Sequence, residues 1–176
     1  MDVEVFNNLL GVGALLIQAV TALLVIVSFS SWREKLFSFA GHYGLMIAFC
    51  AAFAGALGSF VYSEIIGYVP CVLCWWQRVF LFPQFIILGV ALFGKIRNAD
   101  VFFYTLALSI IGGAIALYHV LLQAGTGLPA LCSFEGTSCS QRLVFVFDYV
   151  TIPMMALSIF AFLIVVSLIM RRSNKI

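Results

Sequence analysis

VFFYTLALSIIGGAIALYHVLL, residues 101–122, runs without a Lys, Arg, Asp or Glu and carries a single imidazole, His119. A bilayer core asks for about 20 consecutive apolar residues per helix, and this segment supplies them. Each unsatisfied backbone group in lipid costs several kcal/mol, so such a span is a helix rather than an open strand. Working outward, residues 9–31 and 43–62 meet the same condition without a charge. Residues 75–93 meet it with one exception, Arg78, and residues 152–170 complete the set. The expected fold is an all-α membrane protein, a helical bundle of five spans.

Composition agrees. Of 176 residues, 64% are hydrophobic and 9% charged, with a mean hydropathy of +1.17. Soluble domains are about half apolar and about a quarter charged, and a chain this small has no core large enough for the difference. The net charge of +2, with no basic run or stacking platform, argues against nucleic acid. Two histidines and seven acids argue against a carboxylate-rich metal cage.

Charge sets direction. Arg33, Lys35, Lys95, Arg97, Arg171, Arg172 and Lys175 all fall at one end of the expected bundle, whereas Asp2, Glu4, Glu64, Glu135 and Asp148 fall at the other. The positive-inside rule makes the basic end cytoplasmic, with the N-terminus out and the C-terminus in. The first span lacks a basic n-region and a small-residue cleavage site and is long for a signal peptide, so a retained helix is expected. Ala51, Gly55 and Ser59, and likewise Gly112 and Ala116, recur at the four-residue spacing that lets helices approach in lipid. Pro153 suits the first turn of the last helix, and Pro83 should kink the third. No internal repeat or low-complexity stretch is visible.

Four of the five cysteines fall in the two loops of the acidic end. Cys71 and Cys74 form C-x-x-C at the mouth of the third span, and Cys132 and Cys139 precede the fifth. Cys50, inside a span, is expected to pack as a small hydrophobe. Two pairs on an oxidising side are compatible with two structural disulfides, with a four-cysteine zinc site or with redox chemistry. Local chemistry favours reactivity for the first pair. Cys74 is expected to cap or open the third helix, where the macrodipole favours an anion. Arg78 follows Cys74 by one helical turn on the same face, about 6 Å along the axis, though an arginine near the interface also snorkels. His119 lies at a similar depth. Two donors beside a thiolate suit a flat apolar molecule with paired carbonyl oxygens, a quinone, in a pocket that Trp75, Trp76 and Tyr118 would line.

Pro70-Cys71-Val72-Leu73-Cys74-Trp75-Trp76-Gln77-Arg78 resembles the disulfide bond formation protein B family (DsbB), in particular its short BdbC-like branch. Ser63-Glu64, Pro83, Tyr118-His119-Val120-Leu121-Leu122-Gln123 and Thr151-Ile152-Pro153 after the second cysteine pair are similar too, in order, across residues 43–170. The resemblance implies a four-helix redox domain over residues 43–176, with residues 1–42 as an additional helix and loop. It further implies a thiol:quinone oxidoreductase of the bacterial plasma membrane, using ubiquinone or menaquinone. The implied partner is an extracytoplasmic thioredoxin-like dithiol protein of the DsbA or BdbD type. Cys71, Cys74, Cys132 and Cys139 would be catalytic, Arg78 and His119 would bind the quinone, and no metal is implied. By the same resemblance the partner attacks Cys132, Cys139 then pairs with Cys71, and Cys74 is left facing the quinone. The loop holding Cys132 and Cys139 is short for the family. Gly136 should help it turn, and residues 143–147 are expected at the membrane surface. The vitamin K epoxide reductase family also joins C-x-x-C to a quinone, but its C-x-x-C usually comes late in the chain.

Overall fold

A computed structural model describes residues 2–94, 99–126 and 138–173, without the side chains of residues 99 and 173. α1 spans Val3–Ser28 and α2 Arg33–Phe60, the latter running on into a π-helical turn, Val61–Ile65. α3 is Val72–Phe93, α4 Ala99–Gln123 and α5 Ile152–Ser173. All 5 are long and apolar enough to cross a membrane, so the chain is an all-α, multi-pass membrane protein.

The helices are longer than hydropathy alone indicates. α2 begins at Arg33, not near residue 43, and α1 at Val3. An apolar-run criterion counts only what lipid covers, whereas helical hydrogen bonding continues through Arg33, Glu34 and Lys35 into the interface. Pro153 lies in the first turn of α5, as its missing N–H allows. Pro83 sits inside α3, which continues through it.

α5 is the most enclosed helix and α1 the least. Phe160 and Leu163 of α5 and Leu88 of α3 are fully buried. The small-residue stripes mark where α5 is approached. A Cβ on Gly112 would lie 2.5 Å from the Phe160 ring, and one on Gly55 would lie 2.5 Å from Ile159. A buried polar pair ties α3 to α4: Ser109 Oγ donates to Gln84 Oε1 at 2.8 Å. Cys50 departs from expectation, since it is exposed on the outside of α2 rather than packed.

At one end of the bundle Arg33, Glu34 and Arg172 share a depression, and Arg171 lies 5.2 Å from the Phe103 ring centre. Lys95, Arg97 and Lys175 lie outside the described residues. Asp2, Glu64 and Asp148 belong to the opposite end, where α1 and α5 begin and α2 stops; Glu135 is outside the described residues.

Overpacking a filled core costs about 1–3 kcal/mol. Gly112→Leu should therefore lower the thermal unfolding midpoint of the detergent-solubilised protein clearly. Gly113→Ala, whose Cβ would meet Phe160 at an ordinary 3.5 Å, should leave it nearly unchanged.

Candidate active site

The chain enters α3 through an extended residue. Cys71, with φ −71° and ψ 169°, is the N-cap, and Trp75 N–H donates to its carbonyl at 3.1 Å. Cys74, expected to cap or open the helix, lies in its opening turn, one residue beyond Leu73, and the cap itself is Cys71. Pro70 holds the preceding chain extended, so the helix opens at Val72. The Cys71 and Cys74 sulfurs are 3.3 Å apart, and both are free thiols.

Gln77 and Arg78 follow one turn later and, adjacent on the helix, reach different neighbours. Gln77 Nε2 donates to His119 Nδ1 at 3.1 Å. An amide N–H only donates, so Nδ1 accepts and the imidazole proton sits on Nε2. That nitrogen lies 3.0 Å from the Cys139 carbonyl and 3.8 Å from the Cys71 sulfur. His119 is 1% exposed, so a single buried ring joins α3, α4 and the segment before α5. Arg78 turns toward α2. Its Nε donates to Ser59 Oγ and its Nη2 to the Ser59 carbonyl, both at 2.7 Å. The guanidinium also lies over Trp75, 5.2 Å from the ring centre.

Cys139 is disulfide-bonded and 1% exposed; Cys132 lies outside the described residues. The Cys71 sulfur, the Cys139 sulfur and a His119 nitrogen all fall within 4.8 Å of one another. Three such ligands suggest zinc, but in this state the Cys139 sulfur is committed to a disulfide, and zinc requires thiolates. The Cys71 thiol is held well below the ordinary thiol range. Its hydrogen bond with Cys74 is the largest cause, burial opposes it, and the bond to His119 adds to the lowering.

The second loop is fastened over this site. Arg142 donates through Nε and Nη2 to the Gln123 carbonyl, and Gln123 Nε2 donates to the Gln141 carbonyl at 3.0 Å. Val146 and Val150 pair across a tight turn with Phe147 and Asp148 at φ 52° and 61°. Residues 143–147 do not simply rest on a surface. Val144 is buried against Tyr62, Val150 and Met155, while Phe145 and Phe147 face outward.

A cavity of about 190 Å³ opens beside the cysteines, lined by Cys71, Cys74, Arg78, His119 and Gln123 and by apolar residues of α1, α2 and α5. Trp75, Trp76 and Tyr118 are not among its lining residues; the two tryptophans are exposed on the outside of α3. Sequence reasoning missed Ser59, Gln77 and Gln123. Gln77 stood beside Arg78 in the quoted motif, and Ser59 was visible only as a small residue in a packing stripe. The walls from α1 carried no signal.

A family described as "Disulfide bond formation protein DsbB" matches residues 40–170. The SPbeta prophage-derived disulfide bond formation protein B of Bacillus subtilis (strain 168) is 39% identical over 116 residues, 66% of this chain and 77% of that protein. The probable disulfide formation protein C 1 of Bacillus anthracis is 37% identical over 133 residues, 75% of this chain and 94% of its own length. Disulfide bond formation protein C of Bacillus subtilis is 36% identical over 124 residues, 69% and 87% of the two chains. No solved structure matches the chain.

A hydrogen bond to a charged group contributes about 1.5–3 kcal/mol, or about 1 pH unit or more in titration. In Cys50→Ala protein with Cys71 and Cys74 reduced, ultraviolet thiolate absorbance should persist as pH falls through 7 and vanish only well below the ordinary thiol range. His119→Ala should move its loss upward by about 1 pH unit or more; an unmoved titration would remove His119 from the site.

Proposed function

The chain belongs to the disulfide bond formation protein DsbB family and acts in disulfide bond formation, and on that premise we propose that it is a thiol:quinone oxidoreductase. In this reading it reoxidises a thioredoxin-like dithiol protein of the DsbA or BdbD type. It sits in the bacterial plasma membrane with the cysteine end extracytoplasmic, as its basic opposite end supports. The observation that carries the reading is the approach of the Cys71 and Cys139 sulfurs to within 4.8 Å, beside a cavity that Cys74 and Arg78 also line.

The partner's two thiols become a disulfide, and the Cys132–Cys139 pair takes up their two electrons and two protons. The Cys139 thiolate attacks the Cys71 sulfur of an oxidised Cys71–Cys74 pair; that S–S bond breaks and Cys74 leaves as a thiolate. Cys132 then attacks Cys139, which re-forms their bond and releases Cys71. The result, an oxidised Cys139 with Cys71 and Cys74 as free thiols, is the sulfur state of the structure. Exchange of this kind needs a thiolate and access to the attacked sulfur.

The residues present fit a quinone. The cavity is smaller than the ~300–1,000 Å³ of pockets that enclose whole ligands, which suits a ring with its tail in lipid. Two of the five Arg78 N–H bonds are used on Ser59, which leaves three for an oxygen. Gln123 Oε1, buried with no hydrogen-bond partner among the described residues, can accept from a hydroxyl. A bound quinone would supply the acceptor for two electrons and two protons. Arg78 would orient its oxygens and stabilise charge developing on them. His119, expected as a second quinone donor, has both ring nitrogens engaged by Gln77, Cys139 and Cys71, which supports a role on the sulfur side.

Purified protein supplied with a reduced thioredoxin-like dithiol protein should consume ubiquinone or menaquinone analogues, and Cys74→Ser should abolish this. Arg78→His, which loses a charge-assisted bond of about 1.5–3 kcal/mol, should raise the quinone KM about tenfold or more. No turnover with either quinone type, while the cysteine pairs stay unreacted, would contradict the reading.

A further inference from the structure

α1 lies wholly before the family match, which begins at residue 40. In the Bacillus anthracis relative, where 133 matched residues make up 94% of the protein, roughly ten residues or fewer are left over, too few for a helix of 26. Yet α1 is not a loose anchor. Asn7 Oδ1 accepts from Tyr62 O–H at 3.0 Å. Gln18 Nε2 donates to Ser158 Oγ on α5 at 2.8 Å, and its Oε1 accepts from Tyr149 O–H at 2.7 Å. Gly11 is pressed against Val146 and Phe147, and Gly58 of α2 lies against Leu10. Interhelical hydrogen bonds and glycine contacts of this kind are what fix a helix in lipid.

Fixed there, α1 contributes Leu10, Gly13, Ala14 and Ile17 to the cavity that Cys74 and Arg78 also line, opposite walls supplied by α2 and α5. We infer that α1 is a specificity wall, enclosing the side of the acceptor cavity that would otherwise face lipid and setting which quinone ring reaches Cys74. The inference rests on the quinone reading and adds to it a determinant from outside the family domain. Gly13 is the position where the wall leaves room. An added Cβ there meets nothing within 4 Å, whereas at Gly11 it would lie 2.8 Å from Val146. A side chain at residue 13 would therefore fill free cavity without displacing the helix. A pocket rejects extra bulk steeply, and even one methylene changes selectivity by about 10–200-fold.

The test compares short-chain benzoquinone and naphthoquinone analogues with the full-length protein, its Gly13→Leu and Leu10→Ala variants, and Val12→Leu as a lipid-facing control. Thermal unfolding of each variant reports folding. Gly13→Leu should raise the naphthoquinone KM at least about tenfold, more than the benzoquinone KM, and leave the dithiol partner's KM unchanged. Leu10→Ala should weaken discrimination between the two rings, and Val12→Leu should match the wild type. Should Gly13→Leu fail to fold, Leu10→Ala decides alone. Wild-type turnover with ring preference unaltered in every folded variant would overturn the wall and leave the oxidase standing. No quinone turnover in the wild type would overturn both.

Discussion

The buried imidazole of His119 is the joint on which the cysteine end of the molecule depends. It accepts from Gln77 on α3 and presents Nε2–H to the Cys139 carbonyl and the Cys71 sulfur. A ring this deeply buried leaves any unpaired nitrogen costly. The three partners, Gln77, Cys71 and Cys139, are therefore held together. Without the Gln77 bond the ring could take the other tautomer, and Nε2 would then face a carbonyl with no proton to offer.

A second constraint divides labour along α3. Gln77 and Arg78, adjacent in sequence, bond to α4 and α2 respectively. Gln77 and His119 hold the cysteines from the α4 side and Arg78 from the α2 side, and all of these side chains, with Cys71 and Cys74, line one cavity at the helix mouth. The N-cap position puts Cys71 where backbone N–H groups favour an anion, while Cys74, one turn deeper, lines the cavity with Arg78. In the proposed function Cys71 exchanges with Cys139 and Cys74 faces the lipid-soluble acceptor, about one helical turn apart along α3.

Much of the fold was legible because lipid permits few solutions. The 101–122 segment and its four counterparts had to be helices, and the cysteine pairs had to share an end once the spans alternated. Their extension past the apolar runs, as in α2 from Arg33, was not legible from hydropathy. Within the site, Cys71, Cys74 and Arg78 stood out by type and spacing. Ser59 and Gln77 did not, because their roles depend on which helices become neighbours. Trp75 and Trp76 misled for the same reason: their place beside the cysteines in sequence puts them on the outer face of α3. α1 gave no hint of lining the cavity, since Gly13 and Ala14 matter there only through α2 and α5.

In the proposed relay electrons pass between Cys139 and Cys71 directly. Peptide mapping of the Cys132→Ser protein, with its Cys71–Cys74 pair oxidised by a quinone analogue and the remaining thiols then quenched with an alkylating agent, tests this. Attack of the free Cys139 thiolate on Cys71 predicts a disulfide joining the peptides that contain Cys71 and Cys139, with Cys74 alkylated. Cys71 and Cys74 still joined while Cys139 is alkylated, or Cys139 joined to Cys74, would contradict it.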